Sequence, residues 1–123
     1  MIKSAMLCLA LTVFFEARGE PEQGKYAVAE VVLNRAESRN LDVCEVVYEK
    51  NQFSWVRGWN GKVPINKPGW EAAVAIANTT LDKGGTNYTN GATYFHSKRV
   101  KPRWKAVYAI TIGNHVFYRS LKG

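Results

Sequence analysis

Glu16 closes the series Met6, Leu9, Val13, which advances by three and four positions through a stretch free of proline and glycine. On a helix that spacing is one face, so a carboxyl group interrupts an apolar stripe just before Gly19 and Pro21 stop the helix. A carboxyl in such surroundings loses hydration, which disfavours the anion and raises its pKa. An acid still protonated near neutral pH can hand its proton to a leaving oxygen, the first requirement of glycosidic bond cleavage. The competing role is structural, a buried Glu satisfied by Arg18, Arg35 or a backbone cap.

Other chemistries have thinner support. Cys8 and Cys44 stand far apart with no CxxC pair, and His96 and His115 are the only further soft ligands, so no metal or other cofactor is expected. Both cysteines sit in apolar context, where a thiol is usually a small core residue; a single disulfide stays open. Cys44 with His96 or His115 as base would suit a cysteine peptidase or amidase. Lysine and arginine number 17 against ten acids, for a net charge of +7. A polyanionic partner follows, whether nucleic acid, an anionic membrane surface or an acidic envelope polymer. Lys98, Arg99, Lys101, Arg103 and Lys105 cluster around Trp104, which raises a non-catalytic nucleic-acid binder as a rival, although no recognised reading motif accompanies them.

The elements that must position these groups fit one domain over residues 1–123. Residues from about Lys3 to Arg18 are apolar nearly all round and read as an enclosed helix. Met1-Ile2-Lys3 and the apolar run Ala5 to Phe15 resemble the start of a secretory signal, but no small-x-small site follows and the run is too short to span a bilayer; neither an export signal nor a membrane span is expected. A second helix is expected from about Lys25, after Pro21 and Gly24, to Arg39, with Gln23, Tyr26, Glu30, Asn34 and Glu37 as its polar face and Asn40 as its end. Asp42 caps a short third helix through about Glu49. Asn51 to Gly69, rich in glycine, proline and aromatics, reads as a long ordered loop, followed by a helix over about Gly69 to Asp82. Ala92 to His96, Ala106 to Ile112 and His115 to Arg119 alternate as strands, with Gly113-Asn114 turning the last hairpin. The fold class is therefore α+β, a mainly helical body with a small antiparallel sheet.

Phe15-Glu16-Ala17-Arg18-Gly19-Glu20-Pro21, Gln23-Gly24 and Ala27 through Arg35 closely resemble the opening block of the SleB-like cell wall hydrolases. Val43 to Tyr48, Gln52-Phe53-Ser54-Trp55, Ala92 to His96 with Pro102 and Trp104, and Ile112 to Tyr118 are similar to that family's later blocks, in the same order. The resemblance implies a lysozyme- and lytic-transglycosylase-like fold, peptidoglycan glycan strands as substrate, and cleavage between N-acetylmuramic acid and N-acetylglucosamine. It implies Glu16 as general acid, and a structural or substrate-orienting role for Glu20.

A retaining glycosidase wants a second carboxylate about 5–5.5 Å away and an inverting one about 6.5–9.5 Å. Glu20, Glu30 and Glu45 are candidates, each with a simple surface role as the alternative. The favoured route uses Glu16 alone, as acid and then base, while the muramic 6-hydroxyl closes a 1,6-anhydro ring. Gln52, Ser54, Thr93 and Tyr94 offer hydrogen bonds to sugars, and Phe53, Trp55, Trp59 and Trp104 offer flat apolar faces, Phe53 being the one best suited to the core. His96 and His115 could orient substrate or serve the strands. The expected protein is a monomer adsorbing to anionic envelope polymers, without specific nucleic-acid binding. A phage endolysin, made in the host cytoplasm and released through a membrane lesion, suits that description.

Overall fold

A computed structural model describes residues 4–50, 52–101 and 105–121. Within them five helices precede three strands: α1 (Ala5–Ala17), α2 (Glu22–Arg39), α3 (Val43–Val47), α4 (Ser54–Gly58), α5 (Trp70–Lys83), β1 (Tyr94–Ser97), β2 (Val107–Ile112) and β3 (His115–Arg119). The α+β expectation holds. Among the described residues no helix is long and apolar enough to cross a membrane.

Helix α1 starts at Ser4, whose hydroxyl accepts a hydrogen bond from the Leu7 amide at 3.3 Å. Cys8 through Phe14 are buried without interruption, because α2, α3 and α5 all pack on this helix. A segment apolar all round needs such an enclosure. Its one polar member, Thr12, donates its hydroxyl to the Cys8 carbonyl at 2.8 Å, so no polar group is stranded in the core.

Helix α2 begins at Glu22, earlier than Lys25, with Gly24 inside its first turn. Gly24 is there for close approach: a Cβ on it would lie 3.2 Å from Glu20 Cβ and 3.5 Å from Ile112 Cγ2. The helix ends at Asn40, in the left-handed region with φ 53°, as the sequence indicates. Asp42 and Glu45 form a capping box on α3. The expected loop over residues 51–69 contains α4, a single short helix that carries the buried Trp55.

The sheet order is β1-β3-β2, antiparallel throughout. Strand β3 is thus central, with Phe117 opposite Phe95 on one side and Ile110 on the other. Phe117 and Ile112 pack with Ala17, Ala27, Val28, Val31 and Ala92 into a second core cluster, which fixes the sheet against α2 and the end of α1.

Two expectations need correction. Cys8 and Cys44 are not free core thiols; they form a disulfide between α1 and α3, with Cα atoms 5.4 Å apart. Glu30 is not part of a solvated face but is 2% exposed. Its carboxylate accepts hydrogen bonds from Thr86 Oγ1 at 2.9 Å, Tyr88 N at 3.2 Å, Thr89 N at 2.9 Å and the Thr89 hydroxyl, so it anchors the segment between α5 and β1.

Candidate active site

Glu16 is the penultimate residue of α1 and lines a groove of about 450 Å³, together with Glu49, Lys50, Gln52, Ser54 and Arg57. Desolvation pushes its pKa up from 4.5 to about 6. Among the described residues Glu16 makes no hydrogen bond or ion pair, and the two arginines that could have satisfied it are turned elsewhere. The Arg18 guanidinium lies over the Phe14 ring at 4.6 Å, and Arg35 is engaged with Gln52 and Thr93. A poorly hydrated, unpaired carboxylic acid on an open groove is equipped to donate a proton to a bound oxygen.

Arg35 organises the wall beside it. It is 5% exposed, and burial lowers its pKa from the ordinary guanidinium value. Its Nη1 donates to Gln52 Oε1 at 2.7 Å, and its Nε donates to the Thr93 carbonyl at 2.9 Å. The plane is flanked by the rings of Tyr94 at 5.2 Å and Phe53 at 5.8 Å. Since a guanidinium has only donors, it must hold the oxygen of Gln52, which leaves the exposed amide end as an NH₂ donor. Gln52, Thr93 and Tyr94, distant in sequence, are therefore brought together around one cation. By sequence Arg35 is a candidate partner for Glu16 and the end of a motif block; a lone Arg in a helix motif carries no signal of acceptors so far along the chain.

The other sequence candidates divide. Ser54 is exposed and lines the Glu16 groove, and Tyr94 is 40% exposed. Trp55 is 8% exposed with one face stacked on Phe15 at 5.4 Å and its edge against Trp59 at 5.8 Å, so it serves mainly as support. Phe53 is buried, as anticipated for a core member. His96 sits in the sheet, its Nε2 2.9 Å from the Tyr118 hydroxyl, its Nδ1 2.6 Å from the Ser97 carbonyl, and its ring stacked on Tyr118. Pro102, Arg103 and Trp104 lie outside the described residues.

All three carboxylates weighed as partners of Glu16 have other work. Glu20 accepts from the Asn114 amide at 2.7 Å and from Asn114 Nδ2 at 3.1 Å, tying the turn after α1 to the β2–β3 hairpin. His115 Nδ1 approaches Glu20 Oε1 at 3.6 Å, but burial lowers the His115 pKa more than Glu20 raises it, so this is a contact with neutral imidazole. The Glu20 side chain is 7% exposed and held by these contacts. Glu30 anchors its loop, and Glu45 accepts from the Asp42 amide at 3.0 Å. The carboxylate that does line the groove with Glu16 is Glu49, whose position in the sequence carries no motif signal; it is paired with Arg39. The cysteine-nucleophile alternative fails, because a sulfur committed to a disulfide offers no thiolate.

A family model described as Cell Wall Hydrolase matches residues 19–118, beginning just past Glu16. The spore cortex-lytic enzyme of Halalkalibacterium halodurans is 32% identical over 114 residues, which take in 89% of this chain. The chain spans about a third (33%) of the length of that curated relative. Among solved structures, the catalytic domain of the germination-specific lytic transglycosylase SleB from Bacillus anthracis aligns with a TM-score of 0.79 at 26% identity, over 97% of each chain. The catalytic domain of the Bacillus cereus SleB protein aligns with a TM-score of 0.72 at 29% identity, over 94% of this chain and 89% of that one.

Proposed function

The chain belongs to the cell wall hydrolase family, and from that footing we propose that it cleaves the β-1,4 bond between N-acetylmuramic acid and N-acetylglucosamine as a lytic transglycosylase, with Glu16 as its single acid and base. The observation that carries this reading is the unpaired Glu16 carboxyl on the groove, with its pKa raised to about 6. In the first step neutral Glu16 protonates the glycosidic oxygen as the C1–O bond breaks. The Glu16 carboxylate then takes the proton of the muramic 6-hydroxyl, whose oxygen bonds to C1 and closes the 1,6-anhydro ring; no water is consumed. Support for a single-carboxylate route comes from Glu20, Glu30 and Glu45, each held by partners away from catalysis. The outward NH₂ of Gln52 suits an acetamido or ring oxygen, with Ser54 and Tyr94 as further polar contacts and Trp55, Thr93, whose hydroxyl is buried, and His96 as their supports.

Glu49 supplies the one second reading, a hydrolase in which it activates water across the groove. Digestion of purified peptidoglycan followed by mass analysis of the soluble fragments separates the two. Anhydro-muramic ends support the transglycosylase, reducing ends the hydrolase, and released peptides without glycan cleavage overturn both. The +7 charge supports adsorption to anionic envelope polymers. The disulfide suits action in an oxidising, extracytoplasmic setting, as for an endolysin released through a membrane lesion. A mature N-terminus beyond residue 16 would overturn that origin. Steeply salt-sensitive DNA binding without lysis would overturn the enzyme reading altogether.

A further inference from the structure

We propose that the pocket beside the Glu16 groove, between α1, α4 and residues 59–67, binds the acidic peptide carried by the muramic acid of the substrate, so that the enzyme reads the peptide as well as the glycan. This rests on the peptidoglycan reading above. The pocket holds about 720 Å³ and adjoins the groove, since Ser54 lines both.

Its floor is aromatic. Phe15, 40% exposed, is stacked on Trp55 at 5.4 Å, and Trp59 meets Trp55 edge-on. The Trp59 indole Nε1 donates to the Lys62 carbonyl at 2.9 Å, which fixes the following loop and sets Lys62 beside that ring. The rim is cationic: Arg18, Lys62 and Lys67 line the pocket, and no carboxylate does among the described residues. A neutral sugar would use the rings but leaves three cations without a counterpart. A short peptide bearing free carboxylates and small apolar side chains matches both, its methyl groups on the aromatic floor and its carboxylates at the rim. It also branches from the sugar next to the scissile bond, where this pocket begins. The lactyl carboxylate of a bare muramic acid is the other source of negative charge and is separated by the test.

Peptide-bearing glycan strands and the same strands stripped by an amidase are given to wild type and to the Lys62→Glu/Lys67→Glu double variant. Both lysines are exposed, so an unchanged melting temperature checks the fold. Wild type is expected to prefer the peptide-bearing strands, and the ratio of kcat/KM between the two substrates to fall about tenfold in the variant, through KM. A ratio that does not move, including equal losses on both substrates, overturns the proposal and leaves the glycosidase reading standing. A wild type inactive on both overturns the two together.

Discussion

Arg35 Nη1 and Gln52 Oε1 are 2.7 Å apart, and this bond fixes which end of the Gln52 amide reaches the groove. Gln52→Glu keeps the acceptor for Arg35 and replaces the outward NH₂ with a carboxylate oxygen. It should lower kcat/KM by about tenfold or more, chiefly through KM, without loss of melting temperature. Arg35→Lys keeps the charge but loses the fork, so Gln52 is no longer oriented; a weaker loss of the same kind is expected from steady-state kinetics on glycan strands.

The state of Glu16 sets the pH dependence. The protonated form is the donor, so kcat/KM should be high in acid and fall as pH rises through about 6. Stability moves the same way. The folded state holds this proton more tightly than the unfolded chain, whose value is near 4.5, so the favourable contribution is full below pH 4.5 and lost as pH rises through 6. Glu16→Gln, which cannot ionise, should therefore be more stable than wild type at alkaline pH by about 1–2 kcal/mol, allowing for partial exposure, and equal to it in acid. Urea titrations at both extremes measure this.

Glu49 discriminates the two bond-breaking routes. If Glu16 acts alone, Glu49→Gln retains activity within about threefold, because it loses only a partly exposed, solvent-screened pair with Arg39 worth about 1 kcal/mol. A loss of several orders of magnitude, with reducing ends in the wild-type digest, would move the mechanism to water attack.

The disulfide should matter to stability and not to chemistry. Cys8→Ala/Cys44→Ala is expected to cost about 2–4 kcal/mol by denaturant titration, since it releases the tie between α1 and α3. Activity per folded molecule should stay within about twofold.

The helical frame was legible in the sequence where burial was uniform: the apolar run to Phe15 could only be an enclosed helix, and Glu16 stood out against it. Local capping by Asn40 and Asp42 was equally readable. Features resting on distant partners were not. Gly24 read as a breaker because Ile112, against which it packs, lies in β2. Glu30 shared the helical stripe of solvated residues, and its true partners, Thr86 to Thr89, are more than fifty positions on. Helix α4 had no capping signal; burial of Trp55 accompanies it. The pairing of Cys8 with Cys44 needed the crossing of α1 by α3, which spacing does not encode. Of the candidate site, Gln52, Ser54 and Tyr94 stood out by residue type, while the part of Arg35, which holds Gln52 and lies over the Tyr94 ring, and that of Glu49 emerged only from the geometry.

The most direct test is the rate at which purified Glu16→Gln, shown to be folded by its circular dichroism and melting temperature, releases soluble fragments from peptidoglycan at pH near 5. A loss of at least about a thousandfold relative to wild type is predicted, because no other described group on the groove stands ready to protonate the glycosidic oxygen. Release at the wild-type rate would contradict the account.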